Sequence, residues 1–406
     1  MNIATAHQFN ERKYYPMNTS TMDDPYPEYE RVREFGPLCW VAPMALGISR
    51  YDDIIKMIKD PRIISSFPKN DTRFTLDQGP AAELSQHILL TREPQDHQRL
   101  RDLLNPAFSA KRIASLRERI REKVITIYET AADNGELDVV NDLGLPLTVT
   151  VVAELLGIPD EKRDQISQRV RILSRAFTPF AMPEEDREPA KQDLVWLRKL
   201  MRELLQQKRL EPREDLLSEL AKALEAGNEF TEDELVDNAV FVLFTGYETT
   251  ASLIGTGFSL LLENPQQKQK LWQNPELVKN AIQEMLRFDA PSQFAAGIAQ
   301  EKIEFYDDII RAGRVVFFML GSGNRDPRKF DNPEMFDIGR QQNHHLSFGT
   351  GPHHCIGSAL GMLESDILFS EIISMFRDIE PAGLAIRQLN PSIRSYRTVP
   401  VRVIPR

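Results

Sequence analysis

From Thr231 to Asn264 the chain carries one unbroken helical signal, and few folds have room for it. Thr231 and Glu234 stand in the T-x-x-E pattern of a capping box, with Phe230 and Leu235 at the hydrophobic-staple positions around it. The next break is Asn264-Pro265. The spacing therefore predicts a helix of about 32 residues, or ~48 Å at 1.5 Å per residue. Its middle, DNAVFVLFTGYETTASLIGTG, is apolar nearly all round, so the helix is expected to cross the interior as a structural axis. Inside it lies TGYETT, residues 245–250. A mid-helix glycine costs about 1 kcal/mol relative to alanine, and a buried carboxylate costs more. Two readings fit these residues: a kink or packing glycine with threonines bonded back to helix carbonyls, or a functional opening.

The rest of the chain from residue 80 to 290 also reads as mostly helical. Ile113, Leu116, Ile120, Val124, Ile127 and Tyr128 recur at helical spacing between Ala110 and Ala132. The run at 145–157, LPLTVTVVAELLG, suits a buried helix ending at Gly157, with Pro159 just beyond. Short strand patterns occur near 37–50, 303–319 and 396–404. The expected fold class is mainly α with small β-sheets, in a single domain over residues 23–406. Residues 1–22 read as a polar, flexible leader, and Met17 is a second candidate start.

Composition closes off several functions. A net charge of -10 gives no basic footprint for nucleic acid. Two cysteines in 406 residues exclude a disulfide framework. No membrane span is expected, because no run of about 18 apolar residues stands out. The N-terminus lacks the apolar core of a signal peptide, so the cytoplasm is the expected compartment.

The segment HHLSFGTGPHHCIGSALG, residues 344–361, is the most informative for chemistry. Gly349, Gly351 and Gly357 allow tight bends and close approach to a flat surface. Cys355 just precedes a helix start, where backbone N–H groups favour thiolate over thiol. Taken alone it also reads as a buried turn cysteine. Zinc suits the segment poorly, since His344, His345, His353 and His354 form no pair-and-pair pattern with a second cysteine.

This segment resembles the haem-binding loop of the cytochrome P-450 family, Phe-Gly-x-Gly-x-His-x-Cys-x-Gly, at every fixed position. DDPYPEYERVREFGPL (23–38) and NRDPRKFDNPEMFDIGR (324–340) extend the resemblance over roughly residues 22 to 403. It implies the cytochrome P-450 fold and haem b with Cys355 as the iron ligand. His353 would reach a propionate, Phe348 would shield the sulfur, and Gly349 and Gly357 would shape the loop. It further implies that Gly246 opens the long helix beside the haem. Thr249 would hydrogen-bond dioxygen or its water, and Glu248 would relay protons. Thr245 departs from the family's usual alanine or glycine.

Other motifs take meaning only from their place. Glu284 and Arg287 have i,i+3 spacing, which is common in this chain. In the family such a pair is a structural lock completed by an arginine, matched best by Arg340. His97 and Arg101 are i,i+4, a spacing that fits either a solvated basic face or two side chains on one anion, and the family uses these positions for propionates. Arg99, Lys111 and Arg112 would form a basic patch for an acidic redox partner. Gly297 stands where relatives carry a propionate arginine. The resemblance places Phe241, Phe244, Thr245, Ser292, Gln293, Phe294 and Ile393 around a largely apolar small-molecule substrate, with Thr245 and Gln293 as polar handles. Lids are expected near 65–90 and 175–185, with Phe67, Phe74, Phe177 and Phe180. The implied activity is monooxygenation of that substrate with O2, with electrons from a separate ferredoxin and reductase. The rivals are a same-fold peroxygenase, dehydratase or isomerase, and a non-enzymatic haem binder.

Overall fold

The computed structural model describes residues 12–42, 44–66, 79–92, 94–173, 182, 184–227 and 230–406. The α-helices of six or more residues are α1 (Tyr26–Phe35), α2 (Tyr51–Met57), α3 (Pro80–His87), α4 (Pro94–Leu104), α5 (Ala110–Ser115), α6 (Arg117–Asn134), α7 (Leu145–Leu156), α8 (Asp160–Leu173), α9 (Glu184–Leu210), α10 (Leu216–Glu225), α11 (Glu232–Glu263), α12 (Pro265–Gln273), α13 (Val278–Phe288) and α14 (Ser358–Met375). The strands are β1 (Leu38–Ala42), β2 (Ala45–Ile48), β3 (Ile63–Ile64), β4 (Glu136–Asp138), β5 (Ala295–Ala299), β6 (Ile303–Phe305), β7 (Asp308–Ile310), β8 (Val315–Phe318), β9 (Phe376–Pro381), β10 (Ile386–Gln388), β11 (Ser395–Thr398) and β12 (Pro400–Pro405). Helix dominates and the sheets are small, as the periodicity predicts. The described residues divide into two compact units that alternate along the sequence, one within residues 1–65, 255–355 and 383–399 and the other within 66–254, 356–382 and 400–406.

The first unit is built on a five-stranded sheet of order β1-β2-β8-β5-β3, in which only β2 and β8 run parallel. Leu46, Ile48, Val316 and Phe318 pack there with Tyr51, Ile54 and Met57 of α2 and with Phe330 and Leu346. Each such side chain contributes about 1.5–3 kcal/mol on burial. The described part of the expected leader belongs to this unit. Tyr14 is buried on Tyr29 with ring centroids 5.3 Å apart, and the Lys13 backbone bridges to Trp40. Arg12 pairs with Asp308 at 2.9 Å, so residues 12–22 are not a loose tail.

The second unit is helical, with one three-stranded sheet of order β4-β12-β9. Its centre is the contact between α7 and α11. A Cβ on Gly246 would meet Val152 Cγ2 at 2.7 Å, and one on Gly144 would lie 3.5 Å from the Ala251 backbone. α7 ends at Gly157 with φ +81°, as its sequence predicts. The stretch Val139–Leu156 is long and apolar enough to cross a membrane, but 67% of it is buried inside the protein, which marks a core helix. The periodic stretch 110–132 is not one helix. It breaks at Leu116, whose N–H bonds to Ile113 in a tighter turn, and α6 restarts from there.

The long helix α11 runs for 32 residues and stops at Asn264, as expected. Its N-terminus departs from the predicted capping box. The Glu234 N–H donates to Thr231 Oγ1 at 3.2 Å, but the Glu234 carboxylate binds Arg92 at 2.6 Å and Arg99 at 2.7 Å. Two cations in a buried setting outcompete a reciprocal bond to one backbone amide. One turn on, Asp237 takes His87 at 2.6 Å and Arg198 at 2.7 Å, while Asn238 accepts the Leu89 N–H at 2.8 Å. The polar start of α11 thus ties down His87, Leu89, Arg92 and Arg99 within the second unit.

Candidate functional site

The cysteine loop is stiffened by its own backbone. Gly349 and Gly351 have φ of +66° and +75°, a conformation that side-chain-bearing residues rarely adopt. These turns let the Cys355 N–H return to the Phe348 carbonyl at 2.8 Å. Phe348 lies between His345 and His354, with ring centroids at 5.5 and 6.3 Å. His353 closes a short 3-10 turn at Gly351–His353 and is half-buried. The two cysteines differ sharply. Cys39 is buried on Met319, and that burial pushes its thiol up to about 12. Cys355 is exposed, unusual for a residue type that is generally buried. An exposed thiol is not filling the core.

The stem of the loop is fastened to α13. Glu284 and Arg287 are both fully buried and pair through two 2.8 Å bonds. Glu284 also accepts from Arg340 Nε at 3.2 Å, from the Asp337 N–H at 3.0 Å and from Asn343 Nδ2 at 2.9 Å. Arg287 donates onward to the carbonyls of Asn324, Pro333 and Met335. Asn324 then receives the Leu346 N–H at 2.6 Å and donates to Ser347 Oγ at 2.8 Å.

α11 is buried without interruption from Glu234 to Leu261 except at four positions, all of them in the second unit. Thr245, Gly246, Glu248 and Thr249 are half-exposed. Spacings of one, three and four residues place them on one side of the helix. Thr249 Oγ1 donates to the Thr245 carbonyl at 2.9 Å, and Thr245 Oγ1 donates to the Phe241 carbonyl at 2.7 Å. Both threonines therefore turn their hydroxyl hydrogens inward, and the Thr245 hydroxyl is not an unengaged polar handle. Close packing on Val152 by itself requires glycine at 246. Phe241 and Phe244 are buried beside each other, edge to face at 5.5 Å.

On α4, His97 is buried while Arg101, one turn on, is half-buried. Burial first, and the Arg101 charge second, push the His97 imidazole below its ordinary pKa. Arg99 does not join an open basic patch. It is held by Glu234 and lies over the Phe230 ring at 4.3 Å.

The expected substrate positions separate. Ser292 and Ile393 form an isolated β-bridge, and both are half-exposed. Gln293 is not an open handle: it is 1% exposed, accepts from the Tyr29 hydroxyl at 2.8 Å and donates to the Ala290 carbonyl at 2.7 Å. Phe294 packs edge to face on Tyr29 and Phe317. Gly297 has a local cause, since a Cβ there would strike Ile63 at 2.6 Å and Ile64 O at 3.0 Å. Phe67, Phe74, Phe177 and Phe180 lie outside the described residues.

A family model described as Cytochrome P450 matches residues 34–383. Cytochrome P450 107B1 of Saccharopolyspora erythraea is 35% identical over 348 residues, 83% of either chain. Among solved structures, P450BioI in complex with an acyl carrier protein ligated to hexadec-9Z-enoic acid superposes with a TM-score of 0.88 at 28% identity, covering 95% of this chain and 100% of that one. The myxobacterial cytochrome P450 CYP267B1 in complex with myristic acid gives 0.85 at 32% identity, covering 96% and 98%.

Proposed function

The chain belongs to the cytochrome P450 family, and from that premise we propose that it is a haem-thiolate monooxygenase acting on a largely apolar small molecule. The observation that carries this reading is the exposed Cys355 thiol, set by two positive-φ glycines in a loop whose backbone bonds back on itself. The donors of the first unit suit haem b, a thiol for the iron and half-buried His353 for a propionate, and in the second unit His97 and Arg101 are the pair that the resemblance assigns to propionates. Phe348 would cover the sulfur, while Gly349 and Gly357 would keep the loop close to the ring plane. When bound, the haem supplies the activation of O2 that puts one oxygen atom into a C–H or C=C bond.

The chain's own contribution is orientation and proton supply. Because the Thr249 hydrogen is committed to the Thr245 carbonyl, the oxygen of Thr249 faces its open side as an acceptor. There it can hold a water in place. Glu248, the neighbouring half-exposed carboxyl, would carry protons to that position. Phe241 and Phe244 in the second unit, and separately Phe294 and Ile393 in the first, favour an apolar substrate, and the fatty-acyl ligands of the two related structures are of that class. Thr245, its hydroxyl turned inward, would offer the substrate shape more than polarity. Electrons would come from a ferredoxin-type donor in the cytoplasm, with no part for nucleic acid or membrane.

The test begins with the reduced protein under carbon monoxide. It is expected to give the red-shifted absorption of sulfur-ligated haem, and Cys355→Ser is expected to abolish it. Thr249→Ala should keep consuming electrons while most of the oxygen leaves as hydrogen peroxide. Unchanged coupling to product would place the proton route elsewhere.

A further inference from the structure

We propose that His345, acting through Gln283, is a positioning residue for the Cys355 loop. This rests on the reading of Cys355 as the iron ligand. The stem reaches α13 through alternate residues, as an extended segment must. Asn343 Nδ2 donates to Glu284 at 2.9 Å, His345 Nε2 meets Gln283 Oε1 at 2.9 Å, and Ser347 Oγ donates to the Leu286 carbonyl at 2.6 Å. The outer two contacts have reinforcement. Glu284 is held by four further donor groups besides Asn343, counting the two nitrogens of Arg287 separately, and Ser347 Oγ also accepts from Asn324.

His345 differs because it bonds on both sides of one ring. The Ser347 N–H can only donate, so His345 Nδ1, at 3.2 Å, must carry a lone pair. The single ring proton then sits on Nε2, where the Gln283 oxygen accepts it. One tautomer satisfies both bonds, and it fixes the plane of the ring. That ring lies against Phe348 at 5.5 Å and 54°. Phe348 is also the residue whose carbonyl takes the Cys355 N–H. The contacts thus run without a gap from α13 through Gln283, His345 and Phe348 to the backbone of the cysteine.

The experiment uses the holoprotein with His345→Phe, Gln283→Met, the double variant and Gln283→Glu. Phenylalanine keeps a ring on Phe348 but loses both nitrogens; glutamate at 283 keeps the acceptor. Hydrogen exchange across residues 345–355 is expected to speed up about fivefold in Gln283→Met, the scale of one lost hydrogen bond, and further in His345→Phe, which loses two. The double variant should be no faster than His345→Phe, and Gln283→Glu should stay near wild type. In parallel, the thiolate-type carbon monoxide absorption should decay several-fold faster in the first three proteins. Wild-type exchange in His345→Phe, or multiplicative effects in the double variant, would overturn the proposal. If the wild-type protein gave no thiolate-type spectrum, the functional reading would fall, while the exchange rates would still decide the role of His345.

Discussion

Glu284 on α13 and Glu364 on α14 are carboxylates with almost no solvent contact, one in each compact unit. Around Glu284 stand Arg287, Arg340, Asn343 and the Asp337 N–H, so every direction from the carboxylate meets a donor. Glu364 Oε2 has no hydrogen-bond partner, and burial pushes its pKa well above the usual carboxylate range. The first is a built ion cluster that orders the segment leading to the cysteine loop. The second has no such cluster at Oε2, and its burial disfavours the charged form. Burial alone does not decide what a glutamate does; the donors that the fold brings to it do.

The largest expected effect comes from breaking the first cluster. Glu284→Gln leaves Arg287, which is 0% exposed, without its charge partner. A loss of about 3–5 kcal/mol is expected in denaturant unfolding, with little holoprotein recovered. A loss under about 1 kcal/mol would mean that the backbone carbonyls around Arg287 suffice.

Opposite pH slopes come next. His345 is pushed down to about 4, chiefly by burial, then by Arg287, His344 and His354. Between its unfolded value of 6.5 and about 4, the unfolded chain binds a proton that the folded one refuses. Stability is therefore lost as pH falls through that window, by at most about 3 kcal/mol. Glu364 has the reverse sign. Its contribution is intact below the unfolded value of 4.5 and is lost as pH rises above it. Unfolding followed from pH 4 to 8 should show the acid-side slope vanish in His345→Phe and the alkaline-side loss vanish in Glu364→Gln. Unchanged slopes in either variant would assign the titration to other groups.

The smallest effect concerns a third buried glutamate, Glu234. Because its side chain is held by Arg92 and Arg99, Thr231→Ala removes one capping bond, and a cost of about 0.5–1 kcal/mol is expected. A cost below about 0.2 kcal/mol would mean that the Thr231 cap adds nothing beside the Arg92 and Arg99 ties.

Several features were legible because their signals are local. The ends of α11 and α7 follow from caps and breakers within a few residues. The cysteine loop is legible because its glycines answer to backbone angles that neighbouring residues dictate. Other features had no local signal. Gln293 reads as a polar handle until Tyr29, 264 positions away, is seen to hold it. Arg99 reads as a docking cation until Glu234 is found beside it. Gly297 reads as a missing arginine, yet Ile63 and Ile64 leave room for nothing larger. The contact of His345 with Gln283 spans 62 positions and has no motif of its own.

By itself, then, the amino-acid order determined the mainly helical class, the long axis from Glu232 to Glu263 and the cysteine that marks the chain's chemistry. Propensity, periodicity and turn geometry act over a few residues, so these can be read along the chain. Only the tertiary structure decided which charges are neutralised, which amides are taken and which positions on α11 stay open. Hydrogen bonds and ion pairs depend on distances of about 3 Å, and distant segments come that close only when the core has packed.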